Sequence, residues 1–199
     1  GLALRGFDLG ADIVMHALTK YQSGGADLLM GAVITRDRAL NDRLALAHMR
    51  LGLGVSPDDA YLVQRGLPTM KMRFERHDAS ARALAAWFKA RPEIAKVLHP
   101  AFEDCPGHAF WQRDFTGAGG LFSVVFDALY NEAQVDRMVD ALTLFGIGYS
   151  WGGPNSLVMP YRINSLRDRW EGGVLVRFNV GLEDPADLIA DLAQAFNVL

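Results

Sequence analysis

A single cysteine, Cys105, leaves this chain of 199 residues without an internal disulfide and fits a reducing compartment. No apolar run approaches the ~18 residues of a membrane-spanning helix, and the first residues lack the charged-then-apolar pattern of a secretory signal. Excess positive charge is missing too. The 20 Lys and Arg against 23 Asp and Glu give a formal net charge of -3, which argues against nucleic acid as a partner. The five histidines (His16, His48, His77, His99 and His108) are scattered, with no pair at ligand spacing and no second cysteine, so no metal site is expected. Ser23-Gly24-Gly25 lacks the glycine-to-lysine spacing of a phosphate-binding loop. Internal repeats, low-complexity segments and heptads are absent, and the chain opens on Gly1 rather than methionine. What remains is an ordinary composition, half hydrophobic and 22% charged, long enough for one or two domains. A cytoplasmic protein, or a piece of one, is expected.

Against that plain background the segment from Ala11 to Gly31 stands out. An apolar run ends in Thr19-Lys20-Tyr21, a glycine-rich turn follows, and a second apolar run resumes at Leu28. This layout predicts two buried strands, in a parallel sheet covered by helices, with one amine at their mouth beside backbone free to approach a bound group. A lysine ending a core strand needs a partner or a task. One such task is a Schiff base with an aldehyde cofactor, for which a desolvated amine is suited.

The rest of the chain reads as mixed α/β. Leu40, Leu44, Ala47 and Leu51 recur at helical spacing until Gly52 and Gly54. Ser56-Pro57-Asp58-Asp59 restarts a helix through an N-cap serine, a first-turn proline and two acids. After Arg65-Gly66 a longer helix presents Met70, Phe74, His77, Ala81, Leu84 and Phe88 on one face and Lys71, Arg76 and Arg82 on the other. His77 is then a core histidine, and His16 a packed one in the strand leading to Lys20. Pro92 and Pro100 are expected to bracket a short connection, with Cys105 a loop thiol beyond it. Leu121–Phe126 reads as a strand, Val135, Met138, Leu142 and Phe145 as a helix, and Val174–Val180 as a strand with Arg177 inside it. Asp184-Pro185 caps a last helix facing inward with Leu188, Leu192 and Phe196. Residues 152–173, rich in Gly, Pro, Asn and Arg, are expected to form a long functional loop.

Three distant motifs then fall into one register. They are Tyr149-Ser150-Trp151-Gly152-Gly153, the run from Gly107 to Gly117 carrying His108, Phe110, Trp111, Arg113 and Asp114, and the run from Val176 through Arg177 and Gly181-Leu182-Glu183-Asp184 to Leu192. With the Lys20 segment they resemble the Cys/Met-metabolism enzymes that use pyridoxal 5'-phosphate, and within that family they are most similar to the bacterial β-lyases of cystathionine. The likeness runs the whole length of the chain. It implies the C-terminal part of a fold type I transferase-like large domain, over residues 1–66, followed by a small α/β sandwich domain over residues 67–199.

The resemblance makes Lys20 the lysine that holds the cofactor, takes the substrate's α-proton and delivers a proton to the departing sulfur. Cystathionine would give homocysteine, pyruvate and ammonia. Thr19 would offer its hydroxyl to the cofactor phosphate, though a turn-stabilising hydroxyl accounts for it nearly as well. Arg177, a guanidinium within an apolar strand, needs an anion: the substrate carboxylate, or a structural acid such as Glu183. Ser150 and Trp151 would lie near that carboxylate with Gly152-Gly153 shaping the wall, and Tyr149 would line the same pocket. The plain alternatives are a strand-end surface lysine and a core tryptophan.

The sequence also departs from the family. Ala17 stands where a serine is common three residues before the lysine, and Gly25 where histidine is common. The resemblance implies further large-domain sequence before Gly1, carrying an aspartate for the pyridine nitrogen, a tyrosine stacked on the ring, a phosphate loop and residues donated to a neighbouring subunit. The chain is therefore expected to be a C-terminal half with exposed apolar surface, from an enzyme that assembles as a dimer of dimers. Other transsulfuration activities (γ-synthase, γ-lyase, sulfhydrylase) and a non-catalytic fragment remain as alternative readings.

Overall fold

The computed structural model describes residues 1–163 and 172–199. Strands β1 (Ile13–Ala17) and β2 (Gly31–Thr35) pair with each other antiparallel, Ile13 opposite Thr35 and Ala17 opposite Gly31. The expected parallel, buried arrangement is not what forms. The thirteen residues from Leu18 to Met30 are turns rather than a crossover helix, and such a link returns the chain antiparallel. β1 alternates exposed and half-buried residues, whereas β2 exposes the adjacent Val33 and Ile34; neither strand has a buried residue, and Met15 is exposed too.

Helix α1 (Arg38–Arg50) starts where the Asp37 carboxylate accepts the Leu40 N–H at 2.7 Å, and it buries no residue. Helix α2 (Pro57–Gly66) starts on the expected Ser56 cap, whose hydroxyl accepts the Asp58 N–H at 3.2 Å. A short turn, Leu67–Thr69, leads into α3 (Met70–Lys89), whose inward face holds His77, Ala81, Leu84 and Phe88 as its spacing predicts.

A five-stranded sheet follows. Strand β3 (Ile94–Leu98) lies where a mere connection between Pro92 and Pro100 was expected. Helix α4 (His108–Asp114) precedes strand β4 (Leu121–Phe126) and helix α5 (Glu132–Asp140), which opens on a reciprocal Asn131–Gln134 capping box. That helix stops at Asp140, so Leu142 and Phe145 are buried beyond its end and not on it. Strands β5 (Gly146–Ile147), β6 (Leu157–Tyr161) and β7 (Leu175–Asn179) complete the sheet, and α6 (Pro185–Ala195) closes the fold on its Asp184 cap. The strand order is β3-β4-β7-β6-β5, with only β5 and β6 parallel. β6 occupies part of the segment read as one long loop, the remainder of which includes residues 164–171, outside the described residues. Its Pro160 is tolerated because two-residue β5 pairs only with Leu157 and Val158, leaving the sheet open beside the proline.

Strand alternation sorts the two faces of this sheet. Phe122, Val124 and Phe126 of β4, Val158 of β6, and Val176 and Phe178 of β7 pack against Leu84 and Phe88 of α3 and Leu188 and Leu192 of α6. Phe88 is fully buried, its ring 4.9 Å from that of Phe178. The alternate residues, with Arg177 between Ser123 and Met159 and Asn179 between Leu121 and Leu157, face away from this helical layer. Arg177 is thus part of an apolar strand without entering its apolar core.

Candidate active site

Lys20 lies in the turn after β1, three residues past the strand's end. Ser23 shapes this turn: its buried hydroxyl donates to the Lys20 carbonyl at 3.1 Å and accepts the Ala26 N–H at 2.9 Å. Gly24 at φ 88° and Ala26 at φ 54° both occupy the left-handed region that lets the chain reverse. The next residue, Tyr21, carries the turn to the rest of the molecule. Its hydroxyl accepts the Gly120 N–H at 2.9 Å, its carbonyl accepts from Arg73 at 2.7 Å, and its ring packs edge-on against Phe74 and His77. Burial pushes the Tyr21 phenol up from its ordinary value and the nearby Asp78 adds to this, while the Gly120 bond opposes it.

The segment between β5 and β6 meets this turn from the other side. Gly152 has φ 80°, and a Cβ there would stand 2.8 Å from the Tyr21 nitrogen; one on Gly153 would stand 2.8 Å from the Ala26 Cβ. Two glycines therefore let the segment lie directly on the Lys20 turn. The Lys20 amine donates to Ser150 Oγ at 3.0 Å and sits 4.0 Å from the centre of the Trp151 ring. The Arg177 guanidinium lies 6.0 Å from the same indole and 5.4 Å from the Tyr161 ring.

Arg177 donates to the Gly148 carbonyl at 3.4 Å, while its buried Nε has no partner among the described residues. Glu183, the structural acid considered for it, is committed elsewhere: its carboxylate accepts the Ser156 N–H at 2.7 Å and the Ser156 hydroxyl at 2.8 Å. Among the described residues neither Lys20 nor Arg177 has a carboxylate within 4.0 Å. Two cations share one indole with no counter-charge among the described residues, which is the chemistry of a site for an anionic ligand.

Of the residues singled out in the sequence, Lys20, Ser150, Trp151 and Arg177 are brought together. Thr19 is half-buried beside Lys20, with no side-chain bond to the others. Tyr149 is 64% exposed, its ring 6.1 Å from that of Tyr161. Three residues of the site were not foreseen: Tyr21, Tyr161 and Asn179. Asn179 is two residues from Arg177 on β7, a spacing that puts both on one face, and its buried carboxamide oxygen accepts the Gly152 N–H at 3.1 Å. His77 is a buried histidine as expected, its Nδ1 donating to the Val180 carbonyl at 2.6 Å, and burial holds its imidazole below the ordinary value. No group of three or more His, Cys, Asp or Glu is placed to hold a metal ion among the described residues.

Comparison with known proteins decides what this constellation belongs to. The family model described as Cys/Met metabolism PLP-dependent enzyme matches residues 1–197. The chain belongs to that family. A cystathionine β-lyase of Bordetella avium is 46% identical over 99% of the chain, and one of Escherichia coli is 38% identical over 98%. Proteins named L-alanine/L-glutamate racemase and L-methionine γ-lyase match the same span at 38% and 37% identity. A crystal structure of cystathionine γ-synthase from Xanthomonas oryzae superimposes with a TM-score of 0.89 at 32% identity, over 98% of this chain and 52% of that one. The chain spans about half the length of the curated relatives it matches.

The family's cofactor is pyridoxal 5'-phosphate. Its chemistry asks for an amine to meet an aldehyde, a wall to cover the ring, and donors for anionic groups. Lys20, Trp151, and Arg177 with its unpartnered buried Nε answer those needs. The residues present fit the group.

Proposed function

We propose that the chain carries the lysine-bearing part of a carbon–sulfur β-lyase that cleaves L-cystathionine to homocysteine, pyruvate and ammonia with pyridoxal 5'-phosphate. The observation that carries this reading is the Lys20 amine held 3.0 Å from Ser150 Oγ on the face of Trp151, with Arg177, which has no carboxylate partner among the described residues, beyond the indole. The β-lyase names among the relatives and the segment Tyr149-Ser150-Trp151-Gly152-Gly153 favour this activity over its γ-directed cousins.

When bound, the cofactor supplies an electron sink at the substrate's α-carbon. The chain's own residues do the remainder. Lys20 Nζ would hold the cofactor through its aldehyde, and the same amine is placed to accept the α-proton and to return a proton to the sulfur as the carbon–sulfur bond breaks. Ser150 Oγ accepts a hydrogen bond from that amine and so fixes its direction. Trp151 covers the amine and keeps water from it. Arg177 presents its planar fork to the substrate α-carboxylate. Thr19 offers a hydroxyl to the phosphate, and Tyr149 lines the outer pocket. One water enters overall, so that cystathionine plus water balances homocysteine, pyruvate and ammonia.

Within this reading residues 1–66 are the tail of the cofactor-binding domain and residues 67–199 the small domain, divided where α2 ends at Gly66. Assembly as a dimer of dimers belongs to the same proposal. It is supported by the exposed apolar residues of the first part, among them Met15, Leu29, Val33 and Met49.

The test is product analysis with L-cystathionine and added cofactor. The expected result is pyruvate and thiol in equal amounts, abolished in Lys20→Ala. Cysteine with 2-oxobutyrate would mark a γ-lyase, and no turnover at all would leave a non-catalytic fragment.

A further inference from the structure

A closed circuit of contacts surrounds the Lys20 amine, and one member of it has no place in the chemistry proposed above. From Lys20 the chain passes to Tyr21, whose hydroxyl holds the Gly120 N–H; Gly120 leads into Leu121, which pairs across the sheet with Asn179. Asn179 Oδ1 accepts the Gly152 N–H, and from Gly152 the chain runs back through Trp151 to Ser150 and the lysine amine. Asn179 is only 1% exposed, and its buried Nδ2 has no partner among the described residues. A carboxamide kept in such a place with its amide donors unmade carries a cost, which one bond to Gly152 offsets only in part.

What that single bond does is set by its location. Gly152 is pressed from one side by the Tyr21 backbone, which a Cβ would meet at 2.8 Å, and is held from the other by Asn179. Ser150 and Trp151, immediately before it, both touch the Lys20 amine. Strand β7 presents Asn179 on the same face as Arg177, so one rigid strand carries both the guanidinium and the anchor of the amine's support.

We propose that Asn179 is a positioning residue: its bond to the Gly152 N–H places Ser150 and Trp151 and thereby makes the Lys20 amine selectively reactive toward an aldehyde. This rests on the reading of Lys20 as the cofactor lysine.

The test uses pyridoxal phosphate as probe, trapped by borohydride and mapped by peptide mass analysis, with no turnover required. The chain has four lysines, so exposed Lys71, Lys89 and Lys96 calibrate Lys20 in the same digest. Wild type should label Lys20 preferentially. Asn179→Leu, which roughly keeps the volume and removes the acceptor, should lose about tenfold of that preference. Asn179→Asp, which keeps an acceptor oxygen for Gly152, should retain it. Leu192→Ala, which weakens the distant core, should also retain it. Where Asn179→Leu does not fold, Asn179→Ala is read in its place. Retained preference in the variant lacking the acceptor, or loss in Leu192→Ala, overturns the role of Asn179. No Lys20 preference in wild type overturns instead the reading of the lysine itself.

Discussion

Lys20 Nζ and Ser150 Oγ stand 3.0 Å apart although 130 residues separate them in the chain. The contact joins a turn after the small two-stranded ribbon to the edge of the five-stranded sheet, and it exists because Gly152 and Gly153 allow the two backbones to touch. Ser150→Ala should therefore reduce kcat/KM for β-elimination by about tenfold, the effect of one lost hydrogen bond to a functional amine. The melting temperature should scarcely move, since Ser150 is only half-buried. An unchanged kcat/KM would show that the amine needs no such support.

Arg177→Lys is expected to raise KM for the amino acid substrate at least about tenfold while lowering kcat less. An ammonium replaces a planar two-toothed donor with a point charge on a flexible stem. Steady-state kinetics with both parameters resolved checks this. A fall confined to kcat would place Arg177 away from the carboxylate.

Asp191 predicts an acid limb of stability. It is buried, and its carboxylate accepts the Thr143 N–H and hydroxyl, the Leu144 N–H and a Gln194 amide proton. Burial alone would raise its pKa, but those donors together hold the carboxyl below the ordinary value. A carboxyl depressed on folding stabilises the fold above its unfolded value near 4 and loses that contribution as pH falls through the folded value. Asp191→Ala should cost about 2–4 kcal/mol in urea unfolding at pH 7, because the donors are left unpaired. The variant should also lose less stability than wild type on going to pH 3. Equal losses would contradict this.

His99 acts over a higher window. It is fully buried, and burial, reinforced by the charge of Arg82, lowers its imidazole to about 4. Below the unfolded value near 6.5 the unfolded chain takes up a proton that the folded chain refuses. Stability should then be full above about pH 6.5 and decline toward pH 4, and His99→Asn should flatten that decline. An identical slope in the variant would remove His99 as its source.

Much of this molecule is legible in the sequence where the signal is local. Ser56-Pro57 and Asp184-Pro185 mark their helix starts, and the spacing from Met70 to Phe88 predicts the buried face of α3. Pairing is not local. Nothing within Ile13–Ala17 says that its partner runs antiparallel, and prolines at 92, 100 and 160 hide two strands whose tolerance for them depends on edges seen only once the sheet is built. Leu142 and Phe145 continue the apolar spacing of α5 after the helix has ended, because burial requires only an inward side chain. The same division holds at the site. Lys20 and Arg177 are conspicuous as cations in apolar runs, whereas Asn179 is an unremarked polar residue until β7 is seen to turn it toward Gly152.

The most direct measurement is the map of pyridoxal phosphate attachment after borohydride reduction. The label should fall on Lys20 and be absent there in Lys20→Ala, together with a Lys20-dependent absorption band. Label spread evenly over Lys71, Lys89 and Lys96, with none favoured at Lys20, would contradict the assignment of Lys20 as the cofactor lysine.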